Sequence, residues 1–153
     1  MDGSIASNKP AKKKLLVLDT DHVSALSHPS EVSINLSERI RVSGQDAATT
    51  IVTVEEQLRG WLAEIHRLTD PHRQIAAYDR LQRRLDFFAA WVVLPWDSDS
   101  ADLFAGFRRQ GVRLGTMDLK IACIVLAHDA VLLTRNQTDF AQVPGLHFES
   151  WLH

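Results

Sequence analysis

The 153-residue chain holds one cysteine, Cys123, so no intrachain disulfide can form. It has no run of 18 uninterrupted apolar residues, which argues against a helical membrane span. It has no general excess of positive charge either: 17 Lys and Arg stand against 19 Asp and Glu, for a formal net charge of -2 and a pI near 6.4. That balance excludes a protein that holds nucleic acid by bulk charge. No His/Cys constellation offers a soft metal site, and His66 and His72 lack partners at ligand spacing. Internal repeats are absent. What is present, 45% hydrophobic and 24% charged residues, is the composition of an ordinary globular domain, and the length suits one such unit.

The average charge hides an asymmetry. Residues 1–14 set Asp2 against Lys9, Lys12, Lys13 and Lys14 and so carry +3, while residues 15–153 carry -5. The first 14 residues lack the apolar middle region of a secretory signal, and a flexible basic tail is expected there, ahead of a single domain over 15–153. Without a membrane span or cysteine pairing, the expected location is cytoplasmic.

Short apolar runs alternate with helical patterns. Strands are expected at Leu15–Leu18, Ala47–Val52, Trp91–Leu94, Ala130–Leu133 and Leu146–Phe148. Between them, helices are expected at Val23–Leu26, at Glu31–Ile40 after the Pro29-Ser30 break, and after Thr53, where Thr53-Val54-Glu55-Glu56 reads as a capping box. Asp70-Pro71 opens a long helix with Ile75, Tyr78, Leu81, Leu85 and Phe88 at helical spacing. Ser98–Gln110 is a helix ended by Gly111, and Met117–His128 is apolar almost all round and hence buried. The pattern predicts an α/β domain with a mainly parallel central sheet of about five strands flanked by helices.

In such sheets the ligand crevice lies beyond the carboxyl ends of the strands. Asp19 directly follows strand one, Glu56 falls in the first helical turn after strand two, Asp118 opens the buried helix and Asp139 follows strand four. Four carboxylates at one edge would repel, by roughly 3 kcal/mol per pair at about 5 Å and an effective dielectric near 20. Such a set calls for protons or a hard divalent cation such as Mg²⁺ or Mn²⁺, and the fitting substrate is a phosphate ester. Each acid also has a plainer reading: Asp19 and Asp118 as helix-start residues, Glu56 as part of the capping box, Asp139 as a surface turn acid. Their shared location is what favours the joint reading.

Four segments resemble the PIN-domain ribonucleases, and among them the VapC-type toxins of bacterial toxin–antitoxin pairs. They are Leu18-Asp19-Thr20-Asp21-His22, Thr53-Val54-Glu55-Glu56-Gln57-Leu58-Arg59-Gly60, Gly115-Thr116-Met117-Asp118-Leu119-Lys120-Ile121-Ala122 and Leu133-Thr134-Arg135-Asn136-Gln137-Thr138-Asp139-Phe140. The ending Val143-Pro144-Gly145-Leu146 followed by Trp151 is also similar. Each piece alone is weak, but their order and spacing over about residues 15–152 is specific. The resemblance implies a Mg²⁺- or Mn²⁺-dependent endoribonuclease, the toxin of a type II pair, acting on tRNA, rRNA or mRNA. It further implies a homodimer and inhibition by a VapB-type antitoxin. Carried over, Asp19, Glu56, Asp118 and Asp139 form the catalytic and metal-binding set; Gly60, four residues on, selects Glu56 over Glu55. Hydrolysis would proceed in line with water as nucleophile, leaving a 5′-phosphate and a 3′-hydroxyl. Asn136 would orient water or substrate beside Asp139, and Thr20, Thr116 and Thr134 are candidate supporting hydroxyls. The basic tail departs from relatives that begin almost at the first strand.

Nine arginines lie between Arg59 and Arg113, of which Arg108, Arg109 and Arg113, just before the Asp118 segment, are the best candidates for RNA phosphates. Solvated helix faces and antitoxin contacts account for most of the others. Trp61, Trp91, Trp96 and Trp151 suit core or dimer contacts better than base stacking. Cys123 reads as a packed small hydrophobe, and Asp97, Asp99 and Asp102 as capping residues. A catalytically silent PIN-fold module that binds RNA or protein is the alternative, against which the intact acidic set argues. A phosphoacceptor receiver domain would need an acidic pair before its acceptor strand and a Lys after its last strand, and neither is present.

Overall fold

A computed structural model describes residues 13–152. The expected basic tail lies mostly outside these residues. Of its lysines, Lys13 donates to the Ser43 carbonyl at 2.6 Å and Lys14 pairs with Asp129 at 3.2 Å.

Strand β1 (Leu16–Leu18) is fully buried. Its residues alternate between two cores, Val17 packing on one face with Leu132 and Leu16 and Leu18 on the other with Leu133. This two-sided burial is why the run is continuously apolar. Asp19 ends it by capping α1 (Thr20–Ser27), its Oδ1 accepting the His22 N–H. After Pro29, Ser30 caps α2 (Glu31–Ser43), which closes at Gly44 in the left-handed region, φ +65°, where a side chain is disfavoured.

Strand β2 (Ala47–Thr50) is shorter than expected, and α3 (Ile51–Arg67) begins at once. The cap is Thr50, not Thr53: the Thr50 hydroxyl accepts the Thr53 N–H at 3.0 Å, so the chain turns helical before β-branched Ile51 and Val52 can extend the strand. Glu56 is therefore in the second turn of α3 rather than the first. Asp70 and Pro71 start α4 (Pro71–Ala89) as expected. Its apolar spacing is helical, yet only part of that face turns inward. Phe88 is 7% exposed, whereas Ile75, Tyr78 and Leu85 are 65%, 55% and 52% exposed. The reason is that α4 packs chiefly on α3, forming a hairpin with one covered side.

Then follow β3 (Val93–Leu94), α5 (Ser98–Arg109), α6 (Thr116–Ala127), β4 (Val131–Leu133), a one-turn α7 (Gln137–Phe140) absent from the sequence expectation, and β5 (His147–Glu149). Asp97 caps α5 through the Ser100 N–H at 2.9 Å. Helix α6 buries Leu119 and Ile121 through Val125, and fills one core with Cys123 inside it. All strand pairs are parallel, in the order β3-β2-β1-β4-β5. The chain winds outward from β1 to β3, then crosses back to β4 on the other side of β1. The switch point thus lies between β1 and β4, where the loops leaving the two strands part and open a crevice.

Candidate active site

Asp19 leaves β1 at that switch point, anchored by its own N–H to the Leu133 carbonyl of β4 at 3.1 Å. On the β4 side, buried Thr134 accepts the Asn136 N–H at 3.0 Å and shapes the turn into α7. Asn136 Nδ2 then donates to Asp139 Oδ2 at 2.9 Å, which sets the acid of that turn beside an amide. From β2, the second turn of α3 carries Glu56 across to α1, where the Thr20 hydroxyl donates to its Oε2 at 3.1 Å. Asp118 sits in the first turn of α6.

These carboxylates sense one another. Glu56 is half-buried, and burial pushes its pKa above the usual range; the Thr20 hydrogen bond opposes this, while Asp118, Asp19 and Glu55 add to it. Asp118 is likewise raised, first by burial and then by Asp19, Asp139 and Asp21. The four acids expected from the sequence therefore occupy one neighbourhood, with Asp118 coupled to both Asp19 and Asp139 and Glu56 joined from the α3 side. They form an open set: among the described residues, no three or more His, Cys, Asp or Glu side chains ring a single cation position.

Two further residues belong here. Asp21, exposed in the first turn of α1, is the third carboxylate acting on Asp118, after Asp19 and Asp139. His22 is completely buried and faces Asp19 at 3.2 Å. Both lie within the first motif, but only the helix that Asp19 initiates shows that His22 turns back onto its cap. A signal was available in the i, i+3 spacing to a capping acid.

The arginines divide. Arg108 Nη1 donates to the carbonyls of Val112 and Leu114 at 3.0 and 2.8 Å, and Nη2 reaches the Thr116 hydroxyl at 3.5 Å. Its guanidinium braces the loop into α6, a positional task beside the phosphate contact expected from sequence. Arg109 and Arg113 are exposed. Arg59, Arg80 and Arg83 pair with Glu55, Glu64 and Asp79, and Arg84 donates to the Ser27 carbonyl and His28. All four tryptophans pack against the cores. Burial pushes the Cys123 thiol up to about 11, as expected of a packed hydrophobe.

A parallel five-stranded sheet flanked by helices, with acids gathered at its carboxyl edge, defines a PIN-like domain. The solved structures of similar fold are consistent with a VapC-type toxin. A chain of the VapBC2 complex of Rickettsia felis, bound to a fragment of its promoter DNA, superposes with a TM-score of 0.65 at 20% identity over 90% of this chain and 98% of that one. A chain of FitAcB from Neisseria gonorrhoeae gives 0.63 at 22% identity over 89% and 98%. A chain of VapBC-5, a toxin–antitoxin system of Mycobacterium tuberculosis, gives 0.57 at 26% over 90% and 98%. No family model matches the chain, and no curated protein matches its sequence. At these identities it is the fold that is shared. Among the described residues no helix is long and apolar enough to cross a membrane.

Proposed function

We propose that this chain is a Mg²⁺- or Mn²⁺-dependent endoribonuclease and the toxin of a type II toxin–antitoxin pair. The observation that carries the reading is the coupling of Asp19, Glu56, Asp118 and Asp139 at the carboxyl edge of the parallel sheet. The donor set fits such a cation by its chemistry. It is all carboxylate oxygen, and Mg²⁺ keeps several waters and needs only one or two protein carboxylates, so an open set suits it. Asp19, Glu56, Asp118 and Asp139 are the acids that would hold it, one or two binding the ion directly and the others through its waters. When bound, the cation supplies charge neutralisation and Lewis acidity toward a phosphodiester.

The chain's own groups divide the remaining work. Thr20 holds Glu56, fixing the carboxylate that α3 brings to the crevice. Asn136 holds Asp139 and brings an amide to the crevice edge. Arg109 and Arg113 are free to meet phosphates of RNA. Cytoplasmic location, a homodimer and a VapB-type antitoxin complete the proposal; the similar structures named above, which include VapBC complexes, support the last.

The test is cleavage of tRNA, rRNA and mRNA with and without EDTA, by the wild type and by Asp118→Asn. Metal-dependent cleavage abolished in the variant is expected. Cleavage undiminished by either change overturns the metal-centred mechanism, and RNA or antitoxin binding without any cleavage points to the silent module instead.

A further inference from the structure

The C-terminal segment reaches back into the acidic crevice through one buried histidine. The two ring nitrogens of His22 face different chemistry: Nδ1 lies 3.2 Å from Asp19 Oδ1, and Nε2 lies 3.2 Å from the backbone nitrogen of Trp151. A peptide N–H can only donate, so Nε2 is the acceptor. The proton of the neutral ring then stands on Nδ1 and is donated to Asp19. The same Oδ1 also accepts the backbone N–H of His22 at 3.2 Å. One residue thus grips one carboxylate oxygen twice, while Oδ2 makes no hydrogen bond among the described residues.

The donor at the far end is itself anchored. The Arg39 guanidinium lies 4.4 Å over the Trp151 ring, Trp151 Nε1 donates to Glu149 Oε2 at 3.3 Å, and Leu152 is buried. The strap after β5 is therefore held in register with α1 and α2, with the Trp151 N–H aimed at His22.

We propose that His22 is a positioning residue and that the strap at residues 150–152 is a working part of the acidic centre: the Trp151 N–H fixes the tautomer of His22, and His22 fixes the orientation of Asp19. The proposal rests on the reading of Asp19 as a cation ligand. A histidine or amide behind a ligand carboxylate sets its orientation, and loss of such a partner typically weakens metal binding by about 10- to 100-fold.

Two measurements decide it. Histidine-selective ¹⁵N NMR on the metal-free full chain reads the tautomer directly, with the resonance assigned by its loss in His22→Asn. The Nδ1–H form is expected in the wild type and in Trp151→Ala, which keeps the peptide N–H. In Trp151→Pro, which lacks it, that form should give way to a mixture. An Nε2–H ring in the wild type, or identical spectra for the Ala and Pro variants, overturns the relay.

Calorimetric Mn²⁺ titration then compares His22→Leu with His22→Asn, whose amide nitrogen replaces Nδ1. The Leu variant should bind at least about tenfold more weakly than the wild type and the Asn variant within about threefold of it. Simple filling of a buried space would rank Leu above Asn, and that order overturns the proposal. If the wild type binds no Mn²⁺, it is the cation reading of the site that fails, and the NMR result alone decides the relay.

Discussion

The Thr20 hydroxyl holds the Glu56 carboxylate at 3.1 Å, joining the first turn of α1 to the second turn of α3 across 36 positions of sequence. This bond favours the ionised acid, against the burial and neighbouring charge that favour the protonated one. Thr20→Val keeps the shape and removes the donor. The pKa of Glu56 should then rise further, so the acid limb of the kcat/KM profile moves to higher pH, with the loss of activity greatest on the acidic side. An unmoved limb would show that Glu56 ionisation does not govern the reaction.

Asp118 and Glu56 have folded-state pKa values above their unfolded ones. Between the two values the native state binds more protons, so the metal-free protein loses stability as pH rises through that window and carries the full penalty above it. Asp118→Asn should therefore stabilise the metal-free protein at neutral pH. Relief of about 1 kcal/mol, after solvent screening, corresponds to roughly 2–4 °C in Tm for a chain of this size. Melting curves at neutral pH and near pH 4 check the sign, since the gain should shrink at the lower pH.

Arg108 holds two loop carbonyls ahead of Asp118. Arg108→Lys cannot span both, and should cost about 1–2 kcal/mol in stability along with several-fold in kcat. A rise in KM with unchanged Tm would instead assign Arg108 to RNA contact.

The two sides of α4 should respond differently to truncation. Phe88→Ala opens the core it shares with Leu16, Leu18 and Leu133, and should cost about 3–5 kcal/mol. Leu85→Ala, at a half-exposed position, should fall within about 0.5 kcal/mol in the isolated chain. Urea unfolding of both variants provides the comparison.

Much of the fold was legible because its signals are local. The fully buried β1 required a continuous apolar run, the all-round apolar α6 required burial, and Pro29-Ser30 and Asp70-Pro71 punctuate helices by their own backbone chemistry. The reading failed where two local signals competed. Thr50 and Thr53 are both capping residues, and the hydrogen bond formed decides between them. On α4, periodicity defines a face but not whether a neighbour covers it.

The sequence by itself determined the alternation of strands and helices, the acids at strand ends, and the residue types available to a divalent cation and to RNA phosphate. The tertiary structure decided which groups hold which. The parallel winding brings Glu56 to Thr20, Arg108 to the loop ahead of Asp118, and the Trp151 N–H, 129 positions from His22, onto its ring. Hydrogen bonds act over about 3 Å, and which groups come that close is set by the packing of the whole chain rather than by their neighbours in sequence.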